Sequence, residues 1–275
     1  MLTHFENIDK FHENASIRIP NEIFSDLSKS VSTNIQQSSF AYVYLLTIGI
    51  LYKYTNFVDL NNGTYIQNSD IKELLGYNRK TKTIDRIIKK DGVLDELGLT
   101  LTTSQYPIRF EKYHEKINNI QFGEFTLIGE LEESDIQFST YRNIVKNRNY
   151  SVKEPLFLTS GYKDSEYGTL YSIEKTHRIL VSEYLTLIKD EDLDNIDIML
   201  YSYLKSRCKG YGNNAKDIPL LRITKELGIK NDAFYSHLKK LETKNFIEVN
   251  HKNWRMPNVR NPVQMDANEY VFKGV

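Results

Sequence analysis

Two stretches of the chain share one pattern. "SDIKELLGYNRKTKTIDRIIKK" (69–90) and "LLRITKELGIKNDAFYSHLKKLE" (220–242) each contain Lys-Glu-Leu, a glycine, a short polar run and a second amphipathic stretch rich in lysine. A glycine after the first apolar stretch suits the left-handed residue that ends a helix, because it has no Cβ to clash. Each stretch is therefore expected to be a helix-turn-helix. The two copies align with a one-residue gap in the turn, so duplication and the shared demands of the motif both remain open.

The flanking sequence extends each copy in the same order. "ASIRIPNEIFSDLSKS" (15–30) opens as a short alternating strand, and Pro20 suits the first turn of a helix. Residues 38–54 read as a long, largely buried helix. "FVDLNNGTY" supplies a turn, and Asn68, Ser69 or Asp70 can cap the next helix. Gly76 ends it, and a second helix is expected over 79–90. Strands are expected in "LGLTLTTSQYPIRFEKY" (97–113) and "NNIQFGEFTLIGEL" (118–131), together making a long hairpin. Near the C-terminus the expected elements are helices over 196–207, 219–227 and 231–243, then strands over 246–250 and 268–272. Three helices followed by a hairpin make a winged helix-turn-helix. In the second copy Leu221, Leu227, Ile229, Phe234, Leu238 and Leu241 are expected to share one apolar face, and in the first Ile71, Leu74, Leu75, Ile84, Ile87 and Ile88. The expected fold is α+β, with two winged helix-turn-helix domains (1–130 and 191–275) joined by a β-containing connecting segment (131–190). Within that segment, "EPLFLTSGYKDSEYGTLYSI" (154–173) suggests two strands or an extended linker.

At 275 residues the chain has room for two domains, and its 40% hydrophobic and 26% charged content suits a globular protein. The single cysteine, Cys208, excludes an intrachain disulfide and a cysteine cluster for zinc. No metal or cofactor is expected. The most apolar run, "FAYVYLLTIGILY" (40–52), is too short to cross a bilayer, which needs about 20 residues. It reads as a buried helix. The N-terminus has no apolar core like that of a signal peptide, so a cytoplasmic protein without a membrane partner is expected.

Formal net charge is zero, but charge is unevenly spread. Arg79, Lys80, Lys82, Arg86, Lys89 and Lys90 face only one acid, Asp85, giving residues 79–90 a net +5. A major groove accepts one α-helix. Arg79 and Arg86 are the candidate base or phosphate contacts, since guanidinium binds guanine bidentately. Thr81 and Thr83 add neutral donors at the helix start, and the lysines would meet phosphates and set register. In the second copy Lys230, Asn231, Asp232, Tyr235, Ser236, Lys239 and Lys240 stand around the helix start and outer face. Asn231 or Asp232 can instead be only the helix cap. "HKNWRMPNVRN" (251–261) carries Lys252, Arg255 and Arg260 and no acid, as would a wing that follows a backbone or enters a minor groove. Trp254 can stack on a sugar or base, or pack on its own domain. Lysine-rich helix faces are also often just solvated, and many winged helices bind proteins or dimerise.

Signals for catalysis are missing. There is no Walker-type glycine loop, no Gly-x-Ser-x-Gly, no histidine pair at metal spacing and no His-hydrophobic-His triplet of the kind a rolling-circle nicking enzyme uses. A non-enzyme is expected.

"SIRIPNEIF", a long apolar helix, and "NGTYIQNSDIKELLGYNRKTKTIDRIIKK" together resemble the N-terminal winged-helix domain of theta-type replication initiators from plasmids of low-GC Gram-positive bacteria. The likeness spans roughly residues 15–95. Two winged helices in one chain are also similar to plasmid initiators that use one domain to dimerise and one to bind iterated origin sites. These resemblances imply origin binding without catalysis. The expected partner is double-stranded DNA, with a homodimer and the replication or transcription machinery as further candidates. A transcriptional regulator of a prophage or plasmid, or a protein-binding scaffold, would have the same helices.

Overall fold

The computed structural model describes residues 1–31, 34–117, 120–159, 169–172, 175–208, 214–252 and 267–275. Helix α1 (Leu2–Phe11), strand β1 (Ser16–Pro20) and helix α2 (Ile23–Ser30) lead into α3 (Ile35–Lys53). Every residue of α3 from Ser38 to Tyr52 is buried. A helix that is apolar all round must be covered on all sides, and α2, β1 and later elements do so. Its buried hydroxyls keep hydrogen-bond partners, as burial demands. Tyr44 donates to Asn68 Oδ1 (2.6 Å), Tyr42 meets His177 Nε2 (2.8 Å), and Thr47 meets Tyr184 (2.8 Å). Gly49 lets β1 lie close on α3, because an added Cβ would stand 2.6 Å from Ile17 Cδ1. Pro20 ends β1 instead of opening α2, which starts three residues later. A two-stranded sheet is all edge, so a residue without an N–H is tolerated there.

Strands β2 (Val58–Asp59) and β3 (Thr64–Tyr65) flank the expected turn, with Gly63 at φ +61°. Helix α4 (Asn68–Leu74) follows, Asp70 accepting from the Gln67 N–H at 2.8 Å, and Gly76 takes the left-handed conformation at φ +80°. The helix expected over 79–90 does not form: only α5 (Asp85–Ile88) is helical. The preceding residues run as consecutive tight turns, Thr81 N–H to Asn78 O (2.9 Å), Asp85 N–H to Lys82 O (3.1 Å) and Ile87 N–H to Ile84 O (3.0 Å). The cause lies in α4. The ammonium of Lys72 is buried and must find partners, and it takes the Thr81 carbonyl (2.9 Å) and the Asp85 carboxylate. Asn78 Oδ1 accepts from the Lys80 N–H (2.9 Å), a local bond that competes with helix formation. Thr81 and Thr83 are β-branched and resist it little. Ile71, Leu75, Ile84, Ile87 and Ile88 are nonetheless buried as expected, with Leu74 packed against them.

After α6 (Val93–Glu96) come β4 (Thr100–Thr103), β5 (Pro107–Ile117) and β6 (Ile120–Leu127). The long hairpin is β5–β6, paired from Pro107↔Leu127 to Ile117↔Ile120. Strand β4 leaves it to pair with β7 (Val152–Pro155). The expected connecting segment (131–190) contains α7 (Ile136–Ile144), β7, α8 (Leu156–Thr159), β8 (Thr169–Ser172) and β9 (Thr176–Leu180). Strand β8 extends the β5–β6 hairpin, and β9 pairs antiparallel with β1, Ser16 facing Leu180. Helix α9 (Val181–Lys189) then packs on α1.

The rest of the chain is α10 (Asn195–Cys208), β10 (Ala215–Asp217), α11 (Leu220–Leu227), α12 (Asn231–Thr243), β11 (Ile247–Asn250) and β12 (Glu269–Phe272). These bounds fall within a residue or so of the expected ones, and β10 adds a third strand in the order β10-β12-β11. Helix α10 packs on α3 as well as on α12, and one cluster of buried apolar side chains runs from Phe5 to Phe272. Leu227, Ile229, Phe234, Leu238 and Leu241 are buried as expected, but Leu221 is 79% exposed. Ile223 and Leu227, four apart, form the inner stripe of α11. Leu221 sits two residues before Ile223, about 200° round the helix. The architecture is α+β with small antiparallel sheets. Among the described residues no helix is long and apolar enough to cross a membrane.

Candidate nucleic-acid interface

Helix α11 ends at Gly228, in the left-handed conformation (φ +68°, ψ 23°), and buried Ile229 turns the chain into α12. Lys230 is the N-cap residue, and no side chain caps the helix. The alternative in which Asn231 or Asp232 serves only as a cap is therefore not the one adopted. Phe234, Leu238 and Leu241 hold α12 down. The opposite side carries Asn231, Asp232, Tyr235, Ser236 and Lys239, all exposed. Their spacing of three and four residues places them on one stripe. Lys230 stands beside its start, also exposed. Among the described residues Lys230 and Lys239 make no ion pair, unlike most cations near them. With Lys230 beside it, the stripe offers amide and hydroxyl groups, two ammoniums and a carboxylate, the mixture of donors and acceptors that reads base edges. An uncapped helix start also directs free N–H groups outward, where a phosphate can meet them.

Lys240 does not belong to this stripe. One residue on from Lys239 is about 100° of rotation, which turns it toward α10 and an ion pair with Asp197 at 3.0 Å. His237 Nδ1 meets the same carboxylate at 2.7 Å. Asp197 is fully buried. Burial alone would raise its pKa, but bonds from His237, the Asp194 N–H and Lys240 outweigh it and hold the carboxyl below the usual range. The same pairing raises Lys240 against the opposing effect of burial. Lys244 pairs with Asp190 and Asp192, each at 2.8 Å. The inner flank of α12 is thus pinned to the acidic segment before α10. Asp194, Asp197 and His237 are close enough to share a metal ion. Asp194 Oδ1 accepts from the Ile196 and Asp197 N–H groups, and Asp197 meets His237 through Oδ1 and accepts from Lys240 through Oδ2. The grouping is a capped helix start and a pin for α12. The sequence signal is the acidic run "KDEDLDNID" (189–197), whose Asp-x-x-Asp spacing suits a helix start; it does not show that α12 is what the run holds.

The first set of expected contacts is not assembled on a helix. Arg79 folds back on α4, paired with Asp70 (2.5 Å) and Glu73 (3.0 Å) and near Ser69 Oγ (3.3 Å). Arg86 donates to the Val31 carbonyl at the end of α2 (2.9 Å) and to Gln37 Oε1 (2.5 Å). Both guanidiniums expected to contact bases or phosphates are thus engaged within the protein. Thr81 is half-buried and gives its carbonyl to Lys72. Lys80, Lys82, Thr83 and Lys89 are exposed, but on turns and a helix end. Lys89 gives its carbonyl to buried Lys153 (2.8 Å).

No family model, curated protein or solved structure matches this chain.

In the expected wing, Lys252 is paired with Asp217 of β10. Arg255, Arg260 and Trp254 lie outside the described residues. The expected sites thus sort three ways: a coherent stripe on α12, cations tied up inside the protein, and exposed lysines on irregular backbone.

Proposed function

We propose that this chain is a sequence-specific duplex DNA-binding protein whose C-terminal unit, from α10 to β12, acts as a winged helix with α12 as its reading helix. The observation that carries this is the outward stripe of Asn231, Asp232, Tyr235, Ser236 and Lys239, on a helix held by three buried apolar residues and an inner row of ion pairs. Asn231 can bond adenine bidentately, Asp232 can accept from cytosine, and Lys230 and Lys239 supply charge for guanine or phosphate. The mechanism is electrostatic capture followed by base readout. It needs no catalytic residue and no cofactor. Binding of repeated origin sites of a plasmid or mobile element is the role we favour, supported by the resemblance of residues 15–95 to theta-type initiators. A promoter-binding regulator would use the same helix.

The test is fluorescence anisotropy on a duplex selected from a randomised pool. Asn231→Ala with Lys239→Ala is expected to weaken selected-site binding by about 2–6 kcal/mol if each contact is worth about 1–3. Arg79→Ala with Arg86→Ala should leave base preference unchanged. Wild-type protein that selects no sequence and binds no duplex even at low salt would sink the reading and favour a protein-binding scaffold.

A further inference from the structure

Residues 141–150, "YRNIVKNRNY", join α7 to β7 and include three cations and no acid. Anchors and charges are interleaved. Tyr141, Val145 and Tyr150 are buried, while Arg142, Lys146 and Arg148 are all exposed. The Tyr150 hydroxyl donates to the Ile66 carbonyl (2.7 Å), fastening the loop beside the start of α4, and the Tyr141 hydroxyl donates to the Ile108 carbonyl (3.4 Å). Asn147 tightens the turn, its Oδ1 accepting from the Asn149 N–H at 3.0 Å. Two residues into β7, Lys153 reaches the Lys89 carbonyl, so the loop leads directly to the segment bearing Lys80, Lys82 and Lys89. Among the described residues none of Arg142, Lys146 and Arg148 makes an ion pair; Arg142 lies over the Phe138 ring at 5.2 Å. Arg79, Arg207, Lys244 and Lys252, by contrast, are each held by a carboxylate.

From this placement we infer that the 141–150 loop is a phosphate-contacting surface, lying along the sugar–phosphate backbone of bound duplex DNA. The inference rests on the DNA-binding reading above. A loop buried at its aromatic residues holds the cations at little cost in ordering them. Without base-reading geometry on a helix, they add affinity without sequence preference.

The experiment compares wild type, the triple variant Arg142→Gln, Lys146→Gln, Arg148→Gln, and the α12 variant Asn231→Ala, Lys239→Ala, on selected and scrambled duplexes across a salt series. The loop variant is expected to keep the wild-type melting temperature and to weaken binding to both duplexes by the same factor. Its log–log salt slope should be shallower by about 2 to 3, since each phosphate contact contributes about 0.9. An unchanged slope in the loop variant, with wild type binding normally, overturns this inference and leaves the α12 reading standing. A loop variant that loses preference for the selected duplex also overturns it, since the loop would then read bases. Wild type that binds neither duplex overturns both.

Discussion

The imidazole of His177 gives the most direct check on how the chain is held together. It sits on β9, is 3% exposed, and stacks on Phe24 at 5.2 Å. Its Nδ1 faces Asn21 Oδ1 at 3.0 Å and its Nε2 faces the Tyr42 hydroxyl at 2.8 Å. Both are satisfied by the neutral ring, Nδ1–H donating to Asn21 and Nε2 accepting from Tyr42. Burial, with Lys205, Arg207 and Arg18 adding to it, lowers its pKa from 6.5 to about 3. A histidine kept neutral in the folded state makes its full contribution above the unfolded pKa. That contribution is lost as pH falls from 6.5 toward 3, because only the unfolded chain takes up the proton. At 1.36 kcal/mol per pH unit, the loss at pH 4.5 is about 3 kcal/mol. His177→Gln removes the proton site but keeps an amide donor and acceptor. Urea denaturation followed by far-UV circular dichroism from pH 7.5 to 4.5 would measure the difference in stability between the two proteins. Carboxylates titrate in both and cancel, so the wild-type advantage should shrink by that amount on going to pH 4.5. A constant difference across the range would refute the neutral buried ring.

Two further substitutions test the framework. Gly49→Ala forces a methyl against Ile17 where β1 crosses α3, and is expected to cost about 1–3 kcal/mol by overpacking, read as a lower urea midpoint. Asp197→Ala leaves His237 and Lys240 without their shared carboxylate. The expected loss is about 3 kcal/mol, the low end for a broken buried pair, because Lys240 is partly exposed and can rehydrate. Since the Asp197 pKa is depressed, this contribution is present above about pH 4 and disappears as pH falls through the lower folded value, so the variant and wild type should converge in strong acid.

What could be read from the chain beforehand was whatever depends on near neighbours. Gly228, the periodicity of Phe234, Leu238 and Leu241, and the apolar run in α3 each declare themselves within a turn or two, and the structure follows them. The stretch 79–90 has comparable local signals, yet its conformation is decided by where the buried ammonium of Lys72 finds oxygen atoms. The pairing of β1 with β9, or of β4 with β7, leaves no local trace, because strands far apart in sequence meet only after the core has formed. Charge counting fails for the same reason. The +5 of residues 79–90 counts Arg79 as though Asp70 and Glu73 were not folded against it. Lys239 and Lys240 are adjacent and chemically identical, but the phase of α12 makes one a surface group and the other part of a pin.

That distinction governs how a protein of zero net charge can hold a polyanion. A cation already paired with a carboxylate must give up that partner before it meets a phosphate, so it adds little to affinity and little to the salt slope. Arg79, Lys240, Lys244 and Lys252 are in this position. Among the described residues, the cations without an ion pair include Lys230 and Lys239 at α12 and Arg142, Lys146 and Arg148 on the anchored loop, and exposed acids such as Glu73 and Asp91 help bring the net charge to zero. Attraction at a distance is therefore weak, and scrambled duplex should compete poorly at physiological salt. On the proposed function, discrimination would rest on short-range bonds from Asn231, Tyr235 and Ser236, which salt screens far less than phosphate contacts. Such a protein would lose general affinity with added salt faster than it loses its preference for one sequence.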